Sequence, residues 1–366
     1  MDLTIVAGAR PNFIKIAPLI HAIHRAREAT KITYRLVHTG QHYDSRMSDT
    51  FFAQLEIPHP DVNLECGGGT QAEQTAAIMV AFEKDLLANP TDLVIVVGDV
   101  TSSMACSIVA KKLNTKVAHV EAGIRSYDLT MPEEINRMVT DSITDYFFTT
   151  TQWASGNLLS SGAKPGNVYL VGNVMIDTLI AQKDSFMKPA IWDELKLSAK
   201  EFIVMTLHRP ANVDEPGKLK EIVETMLLNV QGKPVIFPMH PRTAKTFTDL
   251  QIGAPNMRIV EPMTYLEFNY LVSNSKAVIT DSGGITEEAT VFGVPCLTLR
   301  DNTERPETCE IGTNELVGTD PAVIKLNLEK LYKGNWKKGG IPHLWDGHTA
   351  DRIIAHLIDI NKNGWQ

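Results

Sequence analysis

Short strand-like segments alternate with helix-like segments along almost the whole chain, and this alternation limits the fold more than any other feature. The strand-like segments are apolar and rich in β-branched residues, as is typical of strands buried on both faces. In chain order they are LTIVA (3–7), TYRLVH (33–38), LVIVV (93–97), KVAHV (116–120), YFFTT (146–150), VYLV (168–171), FIVMTL (202–207), PVIFPM (234–239), MRIV (257–260), AVIT (277–280) and CLTLR (296–300). Parallel sheets covered by helices produce this pattern, so the sequence predicts an α/β protein.

A stretch rich in Lys, Pro and Ser at residues 183–200 interrupts the alternation, which then restarts. The length of 366 residues also suits two domains, since one domain has roughly 100–200 residues. The two halves open alike, with a strand leading into GARP in the first and into LHRP in the second. We therefore predict two doubly wound domains, whose ligands would bind at the carboxyl ends of strands.

Composition and charge exclude several classes of protein. The formal net charge of −8 argues against a surface for nucleic acid or for an anionic membrane. No apolar run approaches the ~20 residues of a membrane span, and the N-terminal MDLTIVAGAR is typical of a strand and loop, not of a signal peptide. Cys66, Cys106, Cys296 and Cys309 lack C-x-x-C spacing. The sequence predicts a reduced, cytoplasmic enzyme or binding protein.

The segment TDSGGITEEATVFGVP, residues 280–295, joins a predicted strand to a predicted helix. A strand-to-helix turn directs free N–H groups and the positive end of the helix dipole to one point. Glycine lets a ligand approach that backbone closely. Ser282, Gly283 and Gly284 are therefore candidates for an anion site, most often a phosphate site. A plain tight turn followed by acids explains these residues equally well on their own.

The first strand leads into GARPNFIK, residues 8–15, which is not the G-x-G-x-x-G fingerprint of dinucleotide binding. A nicotinamide or flavin cofactor is therefore not expected. Arg10 and Lys15 instead place two cations near a turn, which suits phosphate oxygens. Two solvated surface charges would explain the same residues. Pro18 predicts that the following helix either kinks or begins late.

Acidic residues follow two further strands, with Asp99 after LVIVV and Glu121 after KVAHV. An acid directly after a buried apolar run is less often idle than one on a helix face, so we favour functional roles for both. The segment MPEEINR brings Glu133, Glu134 and Arg137 to a helix start. A structural explanation is strong there, because acids favour helix starts and Glu133 and Arg137 have i, i+4 spacing.

In the second half, a histidine and an arginine follow each of two successive strands. These pairs are His208 with Arg209 and His240 with Arg242. Together with the Ser-Gly-Gly turn they predict a cationic rim for an anionic ligand. The histidines lack the spacing of metal ligands, with no H-E-x-x-H and no Cys partner, so no metal is expected.

Segments along the chain resemble, in the same order, those of the non-hydrolysing UDP-N-acetylglucosamine 2-epimerases. They are GARPNFIKIAPL, TGQHYD, VGDVTSS, HVEAGIRS, MPEEINR, VGNVMIDTL, TLHRPAN, TDSGGITEEA and RDNTERPE. The resemblance implies the glycosyltransferase-B type of fold, two Rossmann-like doubly wound domains with a cleft between them, and a homodimer. The implied parts are an N-terminal domain (1–172), a UDP-binding domain (173–348), and a C-terminal helix (349–366) that crosses back to the first domain.

The same resemblance implies the roles of individual residues toward a UDP-sugar. Ser282, Gly283 and Gly284 would bind the diphosphate, Glu288 the ribose hydroxyls and Phe268 the uracil. The full set of candidate substrate-binding residues is Arg10, Lys15, Arg137, His240, Phe268, Ser282, Gly283, Gly284 and Glu288. The candidate catalytic residues are Asp99, Glu121, Glu133 and His208.

The implied reaction, inversion at C2 of the sugar, explains why cations and carboxylates are needed. The C2 proton is not activated by a carbonyl, so UDP must first begin to leave C1. Elimination gives a 2-acetamidoglucal and bound UDP, and re-addition with a proton on the other face gives the epimer. Cations and N–H groups stabilise the leaving UDP, while carboxylates move protons. No redox cofactor is required.

Asn12 stands where most members of that family have an acid. GARPNFIK with TGQHYD also resembles enzymes that act on UDP-2,3-diacetamido-glucuronate, which is therefore the second candidate substrate. The motifs leave three further activities open: a retaining glycosyltransferase of the same fold, a non-catalytic UDP-sugar-binding protein and a hydrolysing epimerase. The absence of a basic membrane-docking segment argues against the glycosyltransferase, and the strand-end acids argue against the non-catalytic protein.

The segment TGQHYDSRM differs from the QHREM segment that contributes to an activator site in many bacterial members. Gln41 and His42 match, but Tyr43 and Asp44 replace an arginine and a glutamate. Loss of an arginine removes a planar group suited to diphosphate, although Arg46 lies nearby. We therefore expect an enzyme that does not require UDP-N-acetylglucosamine as an activator.

Overall fold

A computed structural model describes residues 1–41, 51–239, 247 and 254–364 of the chain. The chain divides into two units, the first formed by Met1–Ala181 with His343–Gln366 and the second by Gln182–Pro342. The Lys-, Pro- and Ser-rich stretch at 183–200 thus lies at the start of the second unit.

The first unit contains a parallel sheet of seven strands in the order β3-β2-β1-β4-β5-β6-β7. The strands are β1 (Asp2–Ala7), β2 (Thr33–His38), β3 (Val62–Asn63), β4 (Leu93–Val97), β5 (Lys116–Ala122), β6 (Tyr146–Thr149) and β7 (Val168–Leu170). The helices described within Met1–Ala181 are α1 (Arg10–Thr30), α2 (Gln71–Ala88), α3 (Thr101–Lys112), α4 (Pro132–Ile143), α5 (Gln152–Ser160) and α6 (Val174–Ala181). The strand order reverses between β1 and β4, which is where ligands bind in open α/β sheets.

The second unit contains a parallel sheet of six strands in the order β10-β9-β8-β11-β12-β13. The strands are β8 (Ile203–Thr206), β9 (Val235–Pro238), β10 (Met257–Val260), β11 (Ala277–Thr280), β12 (Cys296–Thr298) and β13 (Asn314–Leu316). The helices described here are α7 (Ala190–Glu194), α8 (Pro210–Val213), α9 (Pro216–Asn229), α10 (Tyr265–Asn274), α11 (Gly283–Phe292), α12 (Pro306–Glu310) and α13 (Pro321–Tyr332). The order reverses between β8 and β11, so this sheet has a switch point of its own.

The predicted α/β class with parallel sheets is confirmed, because each predicted strand is present with small changes at its ends. Two strands were not predicted. The strands β3 and β13 have two and three residues, too few to give an apolar pattern. One shift matters for function: β5 continues through Ala122, so Glu121 lies within the strand and not after it.

Helix α1 runs uninterrupted from Arg10 to Thr30 and contains Pro18, so the expectation of a late start is wrong. Proline lacks the N–H that would bond to the carbonyl four residues earlier. That carbonyl, on Ile14, instead accepts a hydrogen bond of 2.6 Å from Thr178 Oγ1 on α6. The replacement partner explains how the helix tolerates the proline.

The C-terminal helix α14 (Thr349–Lys362) packs against α1 and α6 in the first unit. The Asp177 carboxylate on α6 accepts the N–H groups of Thr349 at 3.1 Å and Ala350 at 2.7 Å. A carboxylate at this position satisfies otherwise unpaired donors of the helix start. The apolar face buries Ile353, Ile354 and Leu357, whereas Ile358 is half-buried.

Candidate functional site

In the first unit, Asn12 ties the loop after β1 to the end of β4. Its buried amide oxygen accepts the N–H groups of Gly8 and Ala9, each at 3.0 Å. Its amide nitrogen donates to the Val97 carbonyl, also at 3.0 Å. An ionised acid has no N–H to donate. Asparagine at position 12 therefore links the loop after β1 to the end of β4, at the switch point, by a hydrogen bond that a carboxylate cannot donate.

Lys15 and Glu121 form a buried ion pair at the same edge of the sheet. Lys15 Nζ lies 2.5 Å from Glu121 Oε2, and the side chains are only 10% and 3% exposed. A Cβ on Gly98 would stand 2.7 Å from Lys15 Nζ, so glycine leaves the room that the ammonium occupies. Glu121 has a φ of 72°, a left-handed conformation that costs a non-glycine residue roughly 1–2 kcal/mol. Strain of this kind is concentrated at functional sites.

Arg137 joins two acids beside this pair. Its guanidinium lies 2.5 Å from Asp99 Oδ2 and 2.6 Å from Glu134 Oε2. The partner in the first turn of α4 is thus Glu134 at i, i+3 spacing, whereas the sequence had suggested Glu133 at i, i+4. The Glu133 side chain is exposed.

Glu134 is a site residue that the sequence analysis missed. It is fully buried, and its carboxylate accepts the N–H groups of Ser126 at 2.9 Å and Tyr127 at 3.1 Å. The only sequence signal was its place in MPEEINR, where two adjacent acids could not be distinguished. The helix turns Glu134 inward and leaves Glu133 at the surface.

Arg10 and Lys15 lie on the same helix but engage different groups. The Arg10 guanidinium lies 4.8 Å from the centroid of the Phe51 ring, a cation–π contact. Burial lowers the pKa of Arg10. Lys15 is paired with Glu121, so the two cations have different partners within the protein.

In the second unit, Asp281 ties the end of β11 to the segment after β8. Its buried carboxylate accepts the N–H groups of His208 at 3.1 Å and Arg209 at 2.9 Å, and the Asn212 amide at 3.2 Å. His208 Nδ1 also lies 2.9 Å from Asp281 Oδ1, while the His208 side chain is 62% exposed. Burial alone would raise the pKa of Asp281, but His208 and these backbone donors hold it below its usual value. Asp281, which the sequence analysis missed, anchors the segment that carries His208.

Ser282, Gly283 and Gly284 lie at the start of α11, as predicted. The Ser282 side chain makes no capping hydrogen bond, so a serine cap does not account for the turn. A Cβ on Gly283 would stand 2.5 Å from Glu304 Oε1. The absence of a side chain at position 283 is therefore required by a carboxylate of the protein itself.

Glu304 is buried and lies in a charged cluster with two arginines. Arg300 lies 2.7 Å from Glu304, and Arg209 lies 3.7 Å from it. Arg300 and Glu304 belong to RDNTERPE, a segment from which no role was predicted for them. Arg300 and Glu304 lie in a loop and not in a helix, so their spacing in sequence gave no local signal of the pair.

The two glutamates of α11 have different partners. Glu287 pairs with Arg305 at 2.6 Å. Glu288 is buried near the Asn269 amide, 3.5 Å away, and near Tyr265, both on α10. Burial raises the pKa of Glu288 to about 7, and the Asn269 and Tyr265 contacts only partly oppose this. Of the two, Glu288 is therefore the acid whose charge a bound ligand could control.

Phe268 lies on α10, between Tyr265 and Asn269, and packs against the core cluster that includes Val278 and Ala289. The Phe268 ring is half-buried. The helix that carries it packs against α11. His240 and Arg242 lie outside the described residues, as does His42 with the segment that follows it. The predicted cationic rim is thus described only at His208 and Arg209.

Within the described ranges, no group of three or more His, Cys, Asp or Glu side chains could hold a metal ion. In the same part of the chain, no helix combines the length and apolar character needed to cross a membrane.

Comparison with known proteins places this chain in a family. Residues 24–358 match the family described as UDP-N-acetylglucosamine 2-epimerase. The chain belongs to this family, and its fold of two Rossmann-like doubly wound domains is of the glycosyltransferase-B type, as predicted.

Individual relatives align over nearly their full length. The UDP-N-acetylglucosamine 2-epimerase of Methanocaldococcus jannaschii is 40% identical over 377 aligned residues, which cover 98% of this chain and 99% of the relative. The UDP-2,3-diacetamido-2,3-dideoxy-D-glucuronate 2-epimerase of Pseudomonas aeruginosa is 39% identical over 98% of this chain and 100% of its own. The crystal structure of the M. jannaschii enzyme in complex with UDP-GlcNAc and UDP matches with a TM-score of 0.87 and 39% identity, covering 98% of this chain and 99% of that one.

Proposed function

We propose that this protein interconverts UDP-N-acetylglucosamine and UDP-N-acetylmannosamine by inverting C2 of the sugar. The observation that carries the proposal is the buried Lys15–Glu121 pair, 2.5 Å apart, on a strained strand end. Asp99 follows the neighbouring strand β4. A carboxylate held in place by an ammonium can take up and return a proton, which is the step that epimerisation requires.

The reaction proposed is an elimination followed by an addition. A carboxylate takes the proton from C2 while the C1–O bond to UDP breaks, and UDP leaves with the electron pair of that bond. The products are a 2-acetamidoglucal and bound UDP. UDP then adds back to C1 while a proton reaches the opposite face of C2.

The second unit supplies the residues that we assign to UDP. The N–H groups of Gly283 and Gly284, at the positive end of the α11 dipole, would stabilise the charge that develops on the diphosphate. Glu288 would accept hydrogen bonds from the ribose hydroxyls, and Phe268 would pack on the uracil. We also assign Ser282 and His240 to substrate binding.

The first unit supplies the residues that we assign to proton transfer. Asp99, Glu121 and Glu133 are the proposed acids and bases, with His208 of the second unit as a fourth catalytic group. Arg137 holds the Asp99 carboxylate in place, with 2.5 Å between the guanidinium and Oδ2. Arg10, Lys15 and Arg137 would provide positive charge near the phosphates and sugar.

UDP-2,3-diacetamido-glucuronate is the second candidate substrate, because the relative that acts on it is 39% identical to this chain. The two sugars differ in a carboxylate at C6 and an acetamido group at C3. Each UDP-sugar should be incubated alone with the enzyme, and the anomeric proton signals followed by NMR. We expect a higher kcat/KM with UDP-N-acetylglucosamine. A higher value with the uronate would transfer the assignment to the second candidate, and turnover of neither would contradict epimerisation.

We also propose that the protein acts as a cytoplasmic homodimer. All four cysteines are unpaired within the chain, which suits a reducing compartment. Val80 and Leu87 on α2 and Ile135 and Met138 on α4 are exposed apolar residues that a second copy could cover. Light scattering after size-exclusion chromatography should give twice the chain mass. A monomer at micromolar concentration would contradict the dimer.

A further inference from the structure

A single carboxylate, that of Asp141 on α4, contacts the chain on both sides of Glu121. Asp141 Oδ1 lies 2.7 Å from His119 Nδ1. Asp141 Oδ2 accepts the N–H of Gly123 at 3.1 Å and lies 2.6 Å from the Arg125 guanidinium. Burial alone would raise the pKa of Asp141, but His119 and Arg125 hold it below its usual value. Asp141 therefore remains ionised. Its carboxylate contacts the chain two residues before and two residues after Glu121.

The other ring nitrogen of His119 extends this network to the neighbouring strand. His119 Nε2 lies 3.0 Å from the carbonyl oxygen of Gly98. The partners of His119 are thus a carboxylate at one ring nitrogen and a backbone carbonyl at the other. Gly98 is the residue whose missing side chain leaves room for the ammonium of Lys15. The buried network therefore fixes the backbone at Gly98, next to the Lys15 ammonium, and the backbone on both sides of Glu121.

The strand end that carries Glu121 needs such support. Glu121 has a φ of 72°, and the pairing register with β6 shifts between Val120 and Ala122. Gly123 has a φ of 78°, and a Cβ there would stand 2.2 Å from the carbonyl oxygen of Ala154. Backbone in sparsely populated conformations persists only where its surroundings fix it. The contacts of Asp141 are placed to do this.

We propose that Asp141 and His119 are positioning residues that hold the Glu121 carboxylate at its working position. The proposal rests on the function proposed above, in which Glu121 takes part in proton transfer. Neither residue needs to touch the substrate. Because a displacement of about 1 Å can lower turnover roughly 10²-fold, we expect an effect of that order on kcat when the network is broken.

The test compares Asp141→Asn with Asp145→Asn. Asp145 is a matched control, since it also accepts an N–H of β5, that of Val117 at 2.9 Å, and pairs with Lys111 at 2.7 Å. It lies at the opposite end of β5 from Glu121. Turnover, UDP affinity and melting temperature are measured for both variants and for the wild type.

We expect Asp141→Asn to lower kcat about 10²-fold with UDP affinity within twofold of wild type. Asp145→Asn should lower the melting temperature but leave kcat within threefold. A folded Asp141→Asn protein with kcat within threefold of wild type would overturn the proposal. An equal loss of kcat in both variants would also overturn it, because the effect would then be general loss of stability.

A crystal structure of Asp141→Asn tests positioning without any assay of turnover. We expect the φ of Glu121 to leave the left-handed region or its carboxylate to move away from Lys15; an unchanged Glu121 would contradict the proposal. If Asp141→Asn does not fold, His119→Gln is used with the same measurements, since glutamine has its N–H donors on one nitrogen, whereas the ring contacts its two partners through two different nitrogens. A wild-type protein without turnover would contradict the proposed function alone, and the crystallographic result would still decide the positioning role.

Discussion

The carboxylate of Glu304 occupies the space that a side chain on Gly283 would need. An added Cβ would stand 2.5 Å from Glu304 Oε1, a distance that real Cβ atoms do not reach. Glu304 is itself held by Arg300 at 2.7 Å. An acid this close to a turn that would bind diphosphate requires the neighbouring guanidinium groups to offset its charge. The geometry of the turn thus depends on Gly283 and on the position of Glu304 together.

Replacement of Gly283 by alanine should therefore weaken UDP binding. The new methyl group must displace the Glu304 carboxylate toward the ligand or away from its arginine. We expect a loss of at least tenfold in UDP affinity, about 1.4 kcal/mol, measured by titration calorimetry. Gly217→Ala is the control, because position 217 lies at a helix start in the same unit with open space around it. Equal UDP affinity for Gly283→Ala and the control would contradict this account of the turn.

Glu288 should make UDP affinity depend on pH. The ribose hydroxyls donate hydrogen bonds, so binding favours the ionised carboxylate, whereas burial raises the pKa of the free enzyme's Glu288 to about 7. Above pH 7 the carboxylate is already ionised and affinity is at its plateau. Below pH 7 a proton must be released on binding, and affinity should fall by up to about tenfold per pH unit, because one unit of pKa corresponds to about 1.4 kcal/mol.

Glu288→Gln separates this effect from the titration of the UDP phosphate. The variant keeps the shape of the side chain but has no ionisable group. Its UDP affinity at pH 8 should be lower than that of wild type, and its remaining pH dependence should be that of the ligand alone. The same pH profile in wild type and Glu288→Gln would show that Glu288 does not contact the ribose.

Removal of the charge from each proposed acid should lower turnover while UDP still binds. For Asp99→Asn, Glu121→Gln and Glu133→Gln we expect a fall in kcat of roughly 10²–10⁴-fold, the usual contribution of a general acid or base. Near-normal turnover in all three variants would leave the acids with structural roles only. Release of free glycal and UDP by one variant would show that elimination proceeds while re-addition fails.

Glu133 and Glu134 provide a contrast within this set. Glu133 is exposed, whereas Glu134 is fully buried and accepts hydrogen bonds from the loop at Ser126. Glu134→Gln should therefore lower the melting temperature, because a charge-assisted bond to Arg137 is lost. Glu133→Gln should not. If Glu133→Gln has full activity, the assignment of Glu133 as a catalytic residue is wrong.

The sequence was sufficient for the parts of the fold that depend on local pattern. Runs such as LVIVV are apolar at every position, so β4 and its neighbours were predictable from burial on both faces. The helix through Pro18 was not predictable, because its tolerance depends on Thr178, 164 residues away from Ile14 in sequence. Local pattern cannot report a hydrogen bond formed by tertiary packing.

The same limit applies to the site. Positions after predicted strands indicated Asp99 and Glu121. No local sequence pattern showed that Asp141 contacts His119 and Gly123, on either side of Glu121. Charge spacing on α4 suggested Glu133 as the partner of Arg137, yet the orientation of the helix places Glu134 there. Sequence alone identified residues near a strand end and could not decide which side chains meet.

The reverse reaction, started from UDP-N-acetylmannosamine alone, should proceed without a lag. This prediction follows from Tyr43 and Asp44, which replace an arginine and a glutamate in a segment beyond the described residues. An anionic activator would be repelled by Asp44, so saturation should be hyperbolic. A lag that trace UDP-N-acetylglucosamine abolishes, or a Hill coefficient clearly above one, would show that an activator site persists.

Exchange of the C2 hydrogen with solvent tests the central claim most directly. The enzyme is incubated with UDP-N-acetylglucosamine in deuterated water, and the UDP-sugars are analysed by NMR and mass spectrometry. Elimination and re-addition predict deuterium at C2 of both epimers, with UDP still attached to the sugar. Release of free N-acetylmannosamine, or an epimer that retains its original hydrogen at C2, would contradict the account.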